Sequence, residues 1–125
     1  MKSLLEKAPV VPVVVIDDAD KAVPVAEALV AGGLPIIEVT MRTAAAADAI
    51  AAIAERVPDA FVGAGTVLSA DHAKTIVAAG AKFIVSPGLH ADVVNAAEEL
   101  DVPVIPGVAT ATEAQQAWNM GLRIL

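Results

Sequence analysis

Parallel βα repeats, five units followed by a sixth strand, are the fold class this sequence predicts. Two observations carry that reading. Short runs rich in β-branched residues begin near Pro12 (PVVVI), Pro35 (PIIEV), Ala60 (AFVGA), Lys82 (KFIVS), Pro103 (PVIPG) and Leu122 (LRIL), at steps of 23, 25, 22, 21 and 19 residues. Between them lie stretches with helical composition, and strands separated by single helices must pair in parallel through right-handed crossovers. The runs VPVVVI and, after Lys82, FIV are continuously apolar, as strands buried on both faces are. Two architectures satisfy this pattern: part of a (βα)8 barrel, or an open flavodoxin-like sheet wound in both directions. Both put functional residues at the C-terminal ends of the strands.

The helical stretches read in order as KAVPVAEALVAGG, AAAADAIAAIAERV, ADHAKTIVAAG and ADVVNAAEEL, with a last one before Gly121. Gly32–Gly33, Gly80 and Gly121 stand where a left-handed residue closes a helix. Asp18 or Asp20, Ser69 and Thr112 are candidate N-terminal caps. Pro24 is compatible with the first of these helices only near its first turn, because proline lacks the amide proton an inner turn needs. The alanine-rich stretch from Ala44 to Ala54 reads as a helix whose inner face is marked by Ile50 and Ile53.

One domain spanning residues 1–125 is expected, since 125 residues suffice for one core and not for two. Hydrophobic residues make up 57% and aromatic residues 2%, so that core is aliphatic. A net charge of −7 speaks against nucleic acid, whose phosphates require a basic surface. With no cysteine there is no thiol nucleophile, disulfide or thiolate-bound zinc. The longest apolar run, Ala8 to Ile16, has nine residues and two prolines, far short of the roughly 18 a membrane span needs. Without a recognisable targeting segment, a cytoplasmic location is expected.

Few polar residues fall at predicted strand ends. Glu38, in PIIEVTMRT, follows apolar residues, where a carboxylate is costly unless paired or used. Arg42 comes four residues later, with Thr40 and Thr43 beside it. A proton-shuttling carboxylate next to a guanidinium that grips an anion makes an acid/base site; the competing reading is an ion pair that ties down a loop. Gly63-Ala64-Gly65-Thr66 closes the third strand. It lacks the later glycine of a dinucleotide fingerprint and the Lys-Ser/Thr of a Walker loop, so it permits close backbone approach or simple tight packing. Ser86-Pro87-Gly88 and Pro106-Gly107-Val108 read as strand-to-helix turns. His72 and His90 read as solvated residues at helix starts, and Trp118 as a packing anchor on the last helix. No grouping has metal-ligand spacing, and no cofactor is called for.

In order and in register, PVVPVVVID, ALVAGGLPIIEVTMRT, VPDAFVGAGTVL, AGAKFIVSPGL, VPVIPGVATATE and MGLRIL resemble the 2-keto-3-deoxy-6-phosphogluconate (KDPG) and 4-hydroxy-2-oxoglutarate aldolase family. The resemblance implies a (βα)8 barrel, usually trimeric, and a class I aldolase that cleaves the phosphorylated keto acid to pyruvate and glyceraldehyde 3-phosphate. It casts Glu38 as the acid/base and Arg42 as the ligand of the pyruvate carboxylate, assisted by Thr66 and the Pro87 turn.

In this family the Schiff-base lysine follows directly on the residue matching Leu125, in a segment resembling KFFP. Its absence implies that these 125 residues lack turnover on their own. Lys82 and Lys74 are expected at the N-terminal or outer side of the sheet, and Lys21, Lys2 and Lys7 near the chain start, all away from Glu38. An unclosed barrel leaves both edge strands and an apolar inner face uncovered, so the expected partners are the keto acid and either further copies of the chain or a complementing C-terminal barrel fragment. The alternatives are a non-catalytic or engineered self-assembling fragment and an anion-binding α/β module.

Overall fold

The computed structural model describes the backbone of residues 1–125 and every side chain but those of Lys2, Leu4 and Lys7. Five strands, β1 (Val13–Val14), β2 (Ile36–Thr40), β3 (Phe61–Gly65), β4 (Ile84–Ser86) and β5 (Val104–Pro106), form one parallel sheet in the order β1-β2-β3-β4-β5. Six helices accompany them: α1 (Lys2–Lys7), α2 (Ala22–Ala31), α3 (Ala46–Arg56), α4 (Ala70–Ala78), α5 (Ala91–Glu99) and α6 (Ala111–Asn119). The strictly sequential order overturns the flavodoxin-like alternative, which reverses direction after its first strand. With right-handed crossovers and no reversal, every connecting helix lands on the same face. That is the winding of a barrel, here open between β1 and β5.

Alternation along each strand separates the two faces. Ile37, Val39, Val62, Ala64, Ile84 and Val104 pack with Ala22, Ala26, Ile50, Ile53, Ala73, Ile76 and Val93 of the helices in one core. Small residues on the helices let them sit close to the sheet, and branched residues on the strands fill the space between. Ile36, Glu38 and Thr40 of β2 and Phe61, Gly63 and Gly65 of β3 lie on the opposite face, in register pairs Ile36–Phe61, Glu38–Gly63 and Thr40–Gly65.

That inner face differs from the bare apolar surface expected of an unclosed barrel. Phe83 and Ile36 are both buried. Phe83 lies across β3, where a Cβ on Gly63 would stand 2.3 Å from its ring, and it stacks on Phe61 at 5.7 Å. A glycine on the middle strand thus lets one large ring cover the lower part of the sheet. Exposed large apolar residues collect instead on and around the β1 edge (Val10, Val13, Val15) and at Leu68, Trp118, Met120 and Leu125.

Gly33, Gly80 and Gly121 take φ of +84°, +104° and +85°, the left-handed conformation that closes α2, α4 and α6. Pro24 occupies the third position of α2, within the first turn, behind a 3-10 turn at Ala19–Lys21 capped by the Asp18 carboxylate. Ser69 caps α4. The cap of α6 is Thr110 and not Thr112: the Thr110 hydroxyl accepts from the Glu113 amide at 3.2 Å while the Glu113 carboxylate accepts from the amides of Ala109 and Thr110. Those bonds favour the charged carboxylate and lower the Glu113 pKa. Thr110 wins over Thr112 because only it has an acidic partner three residues on.

Leu122–Leu125 forms no strand, in contrast to the sixth strand expected there. The Arg123 guanidinium stacks 3.8 Å from the Trp118 ring and donates to the carbonyls of Trp118 and Leu122, at 2.9 and 2.8 Å. These contacts turn the segment back onto α6 and occupy a carbonyl that a strand would use. Trp118 is correspondingly no packing anchor: it is 59% exposed, and Arg123 covers its face.

Candidate active site

The C-terminal ends of β2 to β5 bring the polar candidates to one rim. Glu38 is half-buried at the centre of β2. Its backbone partner is Gly63, yet its carboxyl reaches further: a Cβ on Gly65 would stand 1.8 Å from Glu38 Oε1. The side chain therefore rises by about one pleat, ~6.6 Å of strand, toward the C-terminal rim. The two glycines of GAG have separate steric duties. Gly63 makes room for Phe83, and Gly65 makes room for the carboxylate.

Burial pushes the Glu38 pKa up, and the Arg42 guanidinium opposes this only in part. Arg42 is exposed on the loop after β2, and no ion pair between it and Glu38 forms within 4.0 Å; the salt bridge among the described residues joins Lys21 to Asp18. The loop-tying ion pair is thus not what this Glu and Arg make. The loop is held by Thr43, whose hydroxyl donates to the Ile16 carbonyl at 2.5 Å, and by the Met41 amide, which donates to the Gly65 carbonyl at 2.8 Å. Arg42 lies between these ties, exposed, with no salt bridge to a described carboxylate.

A carboxyl that is harder to ionise folded than unfolded has a definite effect on stability. The folded state holds its proton more tightly, so stability is greatest below the ordinary carboxylate range and falls as pH rises through the folded value. Glu38→Gln is expected to be more stable than the parent at pH 7, with the gap closing as both are taken to about pH 3. Thermal melts at the two pH values check this; a gap that does not change with pH contradicts the desolvated environment.

Thr66 follows Gly65 at the end of β3 with φ of +58°. A β-branched residue pays of order 1–3 kcal/mol for that conformation, and such costs concentrate at functional positions. Pro87 lies beyond β4, and its carbonyl oxygen would stand 2.4 Å from a Cβ on Gly107. The Gly107 amide donates to the Ser86 carbonyl at 2.8 Å, and the Ser86 hydroxyl donates to the Gly88 carbonyl at 2.8 Å. The SPG and PGV turns, separate in the sequence, are one packed unit.

Two features escaped the sequence reading. Thr40 is fully buried, and its hydroxyl has no hydrogen-bond partner. The Thr43–Ile16 tie crosses 27 residues and had no local signal. The histidines are as expected: His72 is exposed in the first turn of α4, and His90 precedes α5 without a side-chain cap bond. Lys82 Nζ donates to the Ala60 carbonyl at 3.2 Å, at the end of the sheet opposite the rim, and Lys21 pairs with Asp18. The side chains of Lys2 and Lys7 lie outside the described residues. No group of three or more metal-ligating side chains occurs among the described residues, and no described helix is long and apolar enough to cross a membrane. A cleft of about 370 Å³ between α5 and α6, lined by Leu89, Ala91, Gln116, Asn119 and Met120, contains no titratable group and lies away from Glu38.

Comparison with known proteins shows the family of the chain. The family model described as KDPG and KHG aldolase matches residues 1–125. The KHG/KDPG aldolase of Escherichia coli (strain K12) is 48% identical over 122 residues, covering 98% of this chain and 57% of the relative. The 2-dehydro-3-deoxy-phosphogluconate aldolase of Treponema pallidum (strain Nichols) is 46% identical over 97% of this chain and 58% of its own length. Among solved structures, the 2-keto-3-deoxy-6-phosphogluconate aldolase of Zymomonas mobilis ZM4 with 3-phosphoglycerate superposes with a TM-score of 0.91 at 47% identity, covering 97% of this chain and 57% of that one. The KDPG aldolase of Legionella pneumophila, with pyruvate captured as a covalent carbinolamine, gives a TM-score of 0.90 at 40% identity over 96% and 58% of the two chains. The chain spans somewhat more than half the length of the relatives it matches. It belongs to the KDPG and KHG aldolase family.

Proposed function

We propose that the rim of β2–β5 is the keto-acid half of a class I aldolase site, acting on pyruvate and on phosphorylated keto acids that yield it. The observation that carries this is the Glu38–Gly65 fit, which holds a half-buried carboxyl of raised pKa beside an unpaired guanidinium. Arg42 binds the keto-acid carboxylate through charge-assisted hydrogen bonds. Thr66, held in its left-handed turn, and the Pro87 turn flank the same anion. Glu38, with its affinity for protons increased by burial, takes a proton from the carbon next to the keto group, or from the hydroxyl on the carbon beyond it as the bond between those two carbons breaks, and returns it. The solved Legionella relative, which holds pyruvate as a covalent carbinolamine, supports the same substrate class.

The covalent step requires a lysine amine at the keto carbon, with loss of water to give the imine. Lys82 is tied to the opposite end of the sheet and Lys21 to Asp18, so neither serves Glu38. Lys74 is exposed on α4. On the family pattern given above, the amine belongs to a C-terminal segment that completes the barrel, and the chain by itself binds without turning over. One domain that functions in the cytoplasm within a larger oligomeric assembly completes this reading.

Pyruvate titrated into isotopically labelled chain is expected to shift the amides of Arg42, Thr66 and Gly88, with half-saturation in the millimolar range for so small a ligand. Arg42→Ala should weaken that binding about tenfold or more, the loss of a charge-assisted pair. Shifts absent up to about 50 mM, some tenfold above the affinity expected, or confined to other surfaces, would refute the keto-acid site. Borohydride treatment in the presence of pyruvate is expected to leave the intact mass unchanged; an adduct mapped to one of the five lysines would show that the chain carries its own amine.

A further inference from the structure

Thr40 is the one buried side-chain polar atom without a hydrogen-bond partner among the described residues. Leaving a hydroxyl buried and unbonded costs about 1–3 kcal/mol, so its place in the fold calls for a reason. That place is specific. Thr40 is two residues on from Glu38 along β2, hence on the same face, and its register partner is Gly65. Gly65 is also the residue whose missing Cβ is replaced by Glu38 Oε1, 1.8 Å from the Cβ position. Side chains of register partners on neighbouring strands start about 5 Å apart. The Glu38 carboxyl and the Thr40 side chain therefore both border the space left by Gly65 on one face of the sheet, and yet the Thr40 hydroxyl is not bonded to that carboxyl.

We propose that Thr40 is a positioning residue for Glu38, its buried hydroxyl free to donate to the carboxylate once Glu38 has given up its proton and so to hold that carboxylate over Gly65. A protonated carboxyl has little need of this donor; an ionised one, short of water, does. The inference rests on the reading of Glu38 as the acid/base of the site. Few other charges bear on Glu38. Arg42 faces it from the β2 loop, strands β1 and β3 carry no titratable residue, and Asp17 and Asp18 lie beyond the end of β1.

The test is the carbon-detected titration of Glu38 in the 125-residue chain. Thr40→Val keeps the shape and removes the donor; it is expected to move the Glu38 midpoint upward by about one pH unit, while Thr40→Ser leaves it near the parent value. An unmoved midpoint in the valine variant, or a serine variant that follows valine, overturns the proposal. A second readout needs no substitution: in the parent, the Thr40 Cβ resonance should titrate with the Glu38 midpoint, and a pH-independent resonance also overturns it. Both are measured without substrate. Failure of pyruvate to bind would therefore sink the keto-acid reading and leave this coupling intact, and loss of coupling would leave the binding result intact.

Discussion

Gly65→Ala is expected to dislodge Glu38 while leaving the fold standing. The new methyl group would lie 1.8 Å from Oε1, 2.6 Å from Cδ and 2.8 Å from Cγ of Glu38, so the whole carboxyl end must leave. It can do so cheaply, because the obstructing group is the end of a flexible side chain at an open rim. Alanine also restricts the unfolded chain more than glycine does, a gain of about 0.4–1 kcal/mol that offsets part of the disturbance. Stability should therefore change by less than about 1 kcal/mol. The Glu38 environment should change greatly: turned into water, the carboxyl loses the desolvation that raised its pKa, and its midpoint falls back toward the ordinary range. In any longer protein that completes the site around these residues, removing the acid/base in this way should cost about 10²–10⁴-fold in turnover. Carbon-detected titration of Glu38 beside a denaturant melt checks both parts. An unmoved midpoint would mean that the carboxyl does not depend on the space above Gly65.

Gly107→Ala should do the reverse, with a large loss of stability. Its Cβ would stand 2.4 Å from the Pro87 carbonyl oxygen and 2.8 Å from its carbonyl carbon, both backbone atoms. No side-chain rotation relieves that contact, so one turn must separate from the other. The Gly107 amide bond to Ser86, 2.8 Å long, is strained or lost with it. Overpacking of this kind costs about 1–3 kcal/mol, and the hydrogen bond adds roughly another 1. Urea melts of the variant check the magnitude, and the amide shifts of Gly88 and Leu89 report whether the Pro87 turn has moved. A variant as stable as the parent would show that the two turns are not in contact.

These two substitutions mark where the sequence stopped being informative. Glu38 and Arg42 could be picked out because a carboxylate after apolar residues and a cation four residues later conflict with simple burial, although Glu38 proves to sit at the centre of β2 and not at the strand end the sequence suggested. GAG, SPG and PGV could be seen only as places where the backbone has freedom. Which atom occupies the space each glycine leaves depends on register across strands, and register is a property of the sheet. Thr40 could be seen only as a neighbour of Glu38 and Arg42, since a threonine in a strand is ordinary until its hydroxyl proves to be buried without a partner.

Local chemistry settled the repeating βα order, the glycine closures at Gly33, Gly80 and Gly121, and the inner face of α3 at Ile50 and Ile53. Each depends on residues within a turn or a pleat of one another. The tertiary structure decided the sequential strand order, the burial of Phe83 over Gly63, the folding back of Arg123 onto Trp118 in place of a sixth strand, and the seat of Glu38 above Gly65. Those outcomes are set by contacts between residues far apart in the chain, whose energies no local window of sequence contains.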